Sequence, residues 1–284
     1  MLAASAGCGA NQTYRCAREA ADAECGSWML HWPRTMASQY GQDTWLLRNL
    51  FRYRQGRGTF VDLAAYHPRS ISNTYALDTC FGWRGLCIEP DSNRWAAFTD
   101  PPRLRSCKLE TRCVSSRTGE TVHFGPSGMG LSRVLSRPKR GSSSLTCASL
   151  TDILLSHAMR TVDFLSLDIE GSEERALLGL DFSRVRVSVV LMECEFEDAL
   201  AAIADGGVPN ASANSKQRAA AVLIANGFRL VQGLGKDMRY NHKPIDTVWI
   251  HQESEWWRSC SWTRNDAEPF GPWTPNCGVR NLRI

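Results

Sequence analysis

Short apolar runs of strand length recur along the chain, separated by helical spacings or turn residues. This alternation restricts the fold more than any other feature. Runs at Thr59–Ala65 (TFVDLAA), Gly85–Glu89 (GLCIE), Leu109–Val114, Val162–Asp168 (VDFLSLD), Val185–Glu193 (VRVSVVLME), Phe228–Gln232 and Asp246–Ile250 (DTVWI) read as seven strands. Helices are predicted over Ser38–Arg54, Leu150–Ala158, Glu173–Leu180, Phe196–Ala204 and Lys216–Ala225, the last two closed by Gly206-Gly207 and Gly227. Strands interleaved with helices imply an α/β fold with a mostly parallel sheet and helices on both faces. The nearly continuous apolar strands agree, because such a sheet is covered on both sides. The connection between the last two strands has no helical pattern, which predicts an antiparallel pair at the end of the sheet. A hairpin is expected through Thr118–Gly119 to Thr121–Phe124.

Composition removes several alternatives. The 284-residue chain is 43% hydrophobic and 22% charged, with 33 basic and 29 acidic residues and a net charge of +4. That is enough apolar material for a core, so the chain as a whole is not disordered. Its longest apolar runs, such as Val189–Met192, fall far short of the roughly 18 residues of a membrane span. The small positive charge forms no basic tract, which argues against a nucleic-acid partner. The opening MLAASAGCGANQTYRC lacks the basic-then-apolar order of a signal peptide. Three segments are expected: an irregular N-terminal arm over 1–37, a domain over 38–252, and a Trp-rich tail over 253–284 that packs on it.

The 11 cysteines form no CxxC pair, and neither HExxH nor zinc-type spacing occurs, so no metal site is expected. Cys87, Cys147 and Cys194 lie in apolar runs and read as free, buried thiols. That reading favours a cytoplasmic location slightly and leaves a secretory lumen open.

In open α/β sheets ligands collect at the carboxyl ends of the strands. Three strand ends carry acids: Asp62, Glu89 and Asp168. Glu89 ends the second strand, where a nucleotide-binding fold places a carboxylate on the ribose hydroxyls. A carboxylate suits a vicinal diol because it accepts two hydrogen bonds side by side. The stretch LSLDIEGSE gathers Asp168, Glu170, Glu173 and Glu174 at a strand-to-helix junction. Clustered carboxylates shift one another's pKa and attract cations or catalytic use, whereas acids at a helix start also simply complement the macrodipole.

Five segments in order, SQYGQD (38–43), FVDLAAYHP (60–68), SNT (72–74), GWRGLCIEP (82–90) and LSLDIEGSE (165–173), resemble the FkbM-type methyltransferases. The resemblance spans about residues 38–250. It implies an S-adenosylmethionine-dependent enzyme of the class I Rossmann-like fold, with seven strands and an antiparallel last strand. It also implies cofactor contacts from Asp62 and Ala64, from Ser72 and Asn73, from Glu89 on the ribose, from Val114 and Ser115 near the adenine, and from Asp168 by the methionine part. Gln42 and Asp43 match the family's Gly-Gln-Asp element and would border the cofactor. Ala64 stands where the family usually has Gly, and its methyl is tolerated if φ is negative there. The implied reaction is methyl transfer to a hydroxyl on a sugar or small natural product, with Asp168 or Glu170 as base. A non-catalytic binding protein that kept the fold stays open, since fold does not prove activity. A nicotinamide enzyme is the weaker alternative, because AAYHPR lacks a GxGxxG signature.

Overall fold

The computed structural model describes residues 22–28, 30–31, 36–51, 57–101, 104–126, 132–135, 137–236, 244–258, 261–264 and 273–276. A helix over 22–28 (α1) and α2 (Gln42–Asn49) precede the first strand, β1 (Thr59–Leu63). Then come α3 (Tyr75–Thr79), β2 (Arg84–Ile88), α4 (Trp95–Thr99) and β3 (Lys108–Glu110). A run of short strands follows: β4 (Val114–Ser115), β5 (Thr121–Pro126), β6 (Ser132–Leu135), β7 (Ser143–Thr146) and β8 (Ala148–Ser149). The chain continues through α5 (Leu150–Ser156), β9 (Thr161–Leu167), α6 (Glu173–Leu178), β10 (Arg186–Glu193), α7 (Phe196–Ala204), α8 (Ser215–Ala225), β11 (Phe228–Lys236) and β12 (Pro244–His251). It closes with α9 (Glu255–Arg258) and the antiparallel pair β13 (Ser261–Arg264) and β14 (Trp273–Asn276).

The main sheet has seven strands in the order β11-β12-β10-β9-β1-β2-β3. β10, β9, β1, β2 and β3 pair in parallel, and β12 runs against both β10 and β11. Strand side chains alternate between the two faces, and the core divides accordingly. Val61, Leu63, Leu165 and Leu167 pack under α5 to α8, whereas Phe60, Cys87, Phe164, Leu191 and Val248 face α2, α3 and Trp256. Gly85 is required on this second side: a Cβ there would stand 2.0 Å from the Phe60 ring. α8 starts in a capping box in which Asn214 accepts from the Gln217 backbone and Gln217 reaches back.

One local expectation about the strands fails. Residues 121–126 do not turn back on β4; β5 is the middle of a three-stranded antiparallel sheet with β6 and β7, while β4 pairs in parallel with β8. The Thr118–Gly119 turn is real, but it hands the chain to a separate layer.

The cysteine reading is also corrected. Cys87 is bonded to Cys107 and Cys147 to Cys113, with a third bridge joining Cys25 to Cys80; only Cys194, among the described cysteines, is a free buried thiol. Each corrected partner comes from a neighbouring strand. Cys87 pairs in register with Leu109, two residues after Cys107, and Cys113 and Cys147 immediately precede the paired Val114 and Ala148. Burial in an apolar run is common to a thiol and a half-cystine, so the local sequence could not separate them.

The arm and tail touch the domain at defined points. Cys25 ties α1 to the end of α3, and the Trp256 ring lies 5.2 Å from that of Phe51. Of the expected tail tryptophans, Trp262 and Trp273 have side chains outside the described residues.

Candidate active site

Five acids share one face and one end of the sheet. Asp62, Glu193 and Asp246 alternate with residues of the α2–α3 core by the two-residue period, and Glu89 and Asp168, one residue past β2 and β9, continue it. β12 enters the sheet reversed, so its first residues meet the last of β10, and Asp246 pairs in register with Glu193. Above these strand ends lies a slot of about 180 Å³, open to solvent and lined in part by Ala64, Glu89, Val114, Asp168 and Glu170. Phe124 of β5 and Val134 of β6 contribute to its wall.

Glu89 is held in place by two backbone donors. The Tyr66 and Asp91 amides each donate to one of its oxygens, both at 2.8 Å. Burial raises its pKa. Each oxygen keeps capacity for a further donor.

The loops around the slot are strained. Ala64, Tyr66, Ile71 and Glu170 have φ of 55°, 51°, 61° and 56°, in the left-handed region that favours glycine, and all four line the slot. The tolerance expected at Ala64 therefore does not hold: φ is positive, and the methyl sits where glycine is preferred. Tyr66 also carries the Arg94 guanidinium 3.9 Å from its ring centroid.

Asp168 makes no hydrogen bond to another described residue. Its pKa is raised well above the usual carboxylate range by burial, then by the charges of Glu193, Asp246, Glu170 and Glu173. Asp246 is pushed up to about 7, chiefly by burial; the Gln42 side-chain amide, donating at 2.8 Å, works against that. Lys216 of α8 is the ammonium in the cluster, 2.6 Å from Glu193 Oε2 and 3.2 Å from Glu173 Oε2. Glu173 Oε1 accepts from the Ile169 and Gly171 amides at 3.2 and 3.1 Å, which fixes the loop that carries Asp168 and Glu170. Among the described residues, Asp168, Glu173, Glu193 and Asp246 thus gather around the Lys216 ammonium. A region so charged favours a cationic ligand.

Of the residues singled out from the sequence, Ala64, Glu89, Asp168 and Glu170 line the slot, and Gln42 reaches the acid cluster through Asp246. The others turn elsewhere. Asp62 accepts from Thr74 and lies 3.9 Å from Arg105, beneath the slot rather than on its wall. Ser72 accepts from Arg105 at 3.1 Å and joins the same buried network. Asp43 is saturated by the Ala37, Ser38 and Thr44 amides and the Ser38 hydroxyl, and ties down the segment before α2. Ser115 donates to Glu120 and accepts from Arg175. Asn73 donates to Ser166 at 3.2 Å, and its buried Oδ1 has no hydrogen-bond partner.

Sequence reasoning missed Glu193, Asp246, Lys216 and the buried Arg105. An acid near one end of each of two strands, Glu193 in β10 and Asp246 in β12, is visible in the sequence, but which strands are neighbours is not.

No curated protein matches the chain significantly. A family model, the methyltransferase FkbM domain, matches residues 62–229, a span that holds Glu89, Asp168, Glu170, Glu193 and Lys216. The chain belongs to the FkbM methyltransferase family.

Proposed function

We propose that this protein is an S-adenosylmethionine-dependent O-methyltransferase acting on a hydroxyl of a sugar or small natural product, and that residues 38–252 form its catalytic domain on a class I Rossmann-like fold. The observation that carries the reading is the pairing, in one slot, of a pre-positioned diol acceptor, Glu89, with an under-neutralised acid cluster around Asp168. The seven-stranded order with its single reversed strand supports the fold assignment.

The residues fit the cofactor. Glu89 retains acceptor capacity for two ribose hydroxyls. Asn73 Oδ1 is a buried acceptor still lacking a donor, as an ammonium or amide would supply. The acid cluster suits a sulfonium and an α-ammonium. When bound, S-adenosylmethionine supplies an electrophilic methyl group.

The chain's own work is to align and to move one proton. Holding the acceptor in line for attack contributes up to roughly 7–11 kcal/mol. Burial and the neighbouring carboxylates favour the protonated form of Asp168, and a positive charge beside it favours the carboxylate, the base for an acceptor hydroxyl. Glu170, two residues further along the wall, is the second candidate for that proton. The three disulfides among the described residues support an oxidising compartment such as a secretory lumen, against the slight cytoplasmic lean of the sequence.

The experiment is transfer of an isotope-labelled methyl group from S-adenosylmethionine to panels of polyhydroxyl and of amine acceptors. Base-stable ether label on the hydroxyl panel is expected. Label confined to amines would overturn O-methylation, and label on neither, with cofactor bound, would favour a non-catalytic binding protein.

A further inference from the structure

The opposite end of the sheet carries a second cavity, of about 610 Å³, within the usual range for a ligand site. Its wall includes Arg160, Arg184, Arg186, Arg258, His251 and Glu253. The topology explains the convergence. Arg186 opens β10 in register with Thr161 of β9, and its amide donates to the Arg160 carbonyl at 2.9 Å. Arg184 sits in the turn before β10, its amide donating to the Asp181 carbonyl at 3.1 Å. β12 runs the other way, so its last residue, His251, arrives at the same end, and α9 follows with Arg258.

Among the described residues these four arginines have no carboxylate within 4 Å, although Asp181 and Asp152 act on Arg184 at longer range. Elsewhere Arg69, Arg105, Arg112, Arg175 and Arg218 each meet a carboxylate directly. Glu253 is the single acid on the cavity wall, against four guanidinium groups. Like charges so gathered repel one another unless an anion joins them. The guanidinium fork matches phosphate and sulfate oxygens in bidentate fashion.

We infer that this basal cavity binds an oligoanion carrying two or more phosphate or sulfate groups, at a site separate from the methyl-transfer slot. Arg160 and Arg186, adjacent at the strand starts, hold one oxyanion, and Arg184 and Arg258 a second. The two sources of that chemistry are a soluble phosphate compound and a sulfated saccharide.

Calorimetric titration of the full chain with sodium tripolyphosphate and, separately, with a highly sulfated disaccharide tests this, sodium chloride at matched ionic strength serving as control. Saturable one-to-one binding of either probe is expected, and the one that binds identifies the source. Arg160→Gln/Arg186→Gln should weaken it tenfold or more. Arg184→Gln/Arg258→Gln should do the same, so a folding fault in one pair does not decide the matter. S-adenosylmethionine affinity should be unchanged in both. No saturable binding of either probe, or binding equal in wild type and both variants, overturns the site.

Discussion

The two ends of the one sheet carry opposite charge. At the carboxyl ends, Glu89 and Asp168 line a narrow slot, with the charges of Glu193 and Asp246 acting on Asp168 from beside it; at the amino ends, Arg160, Arg184 and Arg186 line a wider one. The larger and more cationic cavity is not the one the family's strand-end residues surround. What marks the upper end is strain and burial. Four of the five described non-glycine residues with positive φ line the slot, and the fifth, Ala158, lies in the turn between α5 and β9. Burial raises the pKa of Glu89, Asp168 and Asp246 there, whereas the basal arginines are exposed. Volume reports where a ligand has room; strained backbone and ill-solvated charge report where the protein sacrifices stability for function.

The largest expected effect that sharpens this contrast is at Asp168. Asp168→Asn keeps the size and removes the charge, so methyl transfer should fall about 10²-fold or more while the melting temperature stays near wild type. Full turnover with an identified acceptor would remove Asp168 from the chemistry. Basal variants such as Arg186→Gln should leave turnover unchanged in the same assay.

Next in size is the Cys113–Cys147 bridge, whose Cys113 lines the slot and whose sequence separation is 34 residues. Closing a loop of that length restricts the unfolded chain by about 3–4 kcal/mol. Cys113→Ser/Cys147→Ser should lower stability by roughly that amount in denaturant titrations, and non-reducing peptide mapping should recover the linked pair from the wild type. A free thiol at Cys147 would restore its reading as an unpaired buried cysteine.

Asp246 gives a smaller, pH-dependent effect. Its pKa is about 7 in the folded protein and near 3.8 when unfolded. The folded state therefore binds the extra proton in that window; the stabilising contribution is full below about pH 4 and lost as pH rises through 7. Asp246→Asn, which stays neutral, should gain on wild type as pH rises, by about 2–3 kcal/mol between pH 5 and pH 8. Equal stability at both pH values would show that Asp246 is not held at a raised pKa.

The smallest is Ala64→Gly. Relief of the left-handed strain outweighs the added backbone entropy, so stability should rise by about 0.5–1 kcal/mol. A loss instead would mean the Ala64 methyl packs usefully against the slot.

Much of this was legible in the sequence, for identifiable reasons. Strand and helix positions followed from periodicity, and Glu89 and Asp168 from the rule that ligands gather at carboxyl strand ends. What escaped depends on pairing across long separations. Glu193 and Asp246 meet because β12 is inserted reversed between β10 and β11, and Cys87 meets Cys107 because β3 lies beside β2. The resemblance implies cofactor contacts from Asp43 and Ser115, yet their side chains are taken up by neighbouring hydrogen bonds. Motif position tells which residues lie near the site, and only the partners tell which of them have free valence.

The central claim is that the upper slot, through Glu89, holds the ribose of S-adenosylmethionine. Calorimetric titration of the wild type and of Glu89→Ala with S-adenosylmethionine, S-adenosylhomocysteine and NAD tests it most directly. The account predicts that both adenosyl compounds bind the wild type one-to-one, that NAD does not, and that Glu89→Ala loses about 1.5–3 kcal/mol of affinity for them. Unchanged affinity in Glu89→Ala, or tighter binding of NAD than of either adenosyl compound, would contradict it.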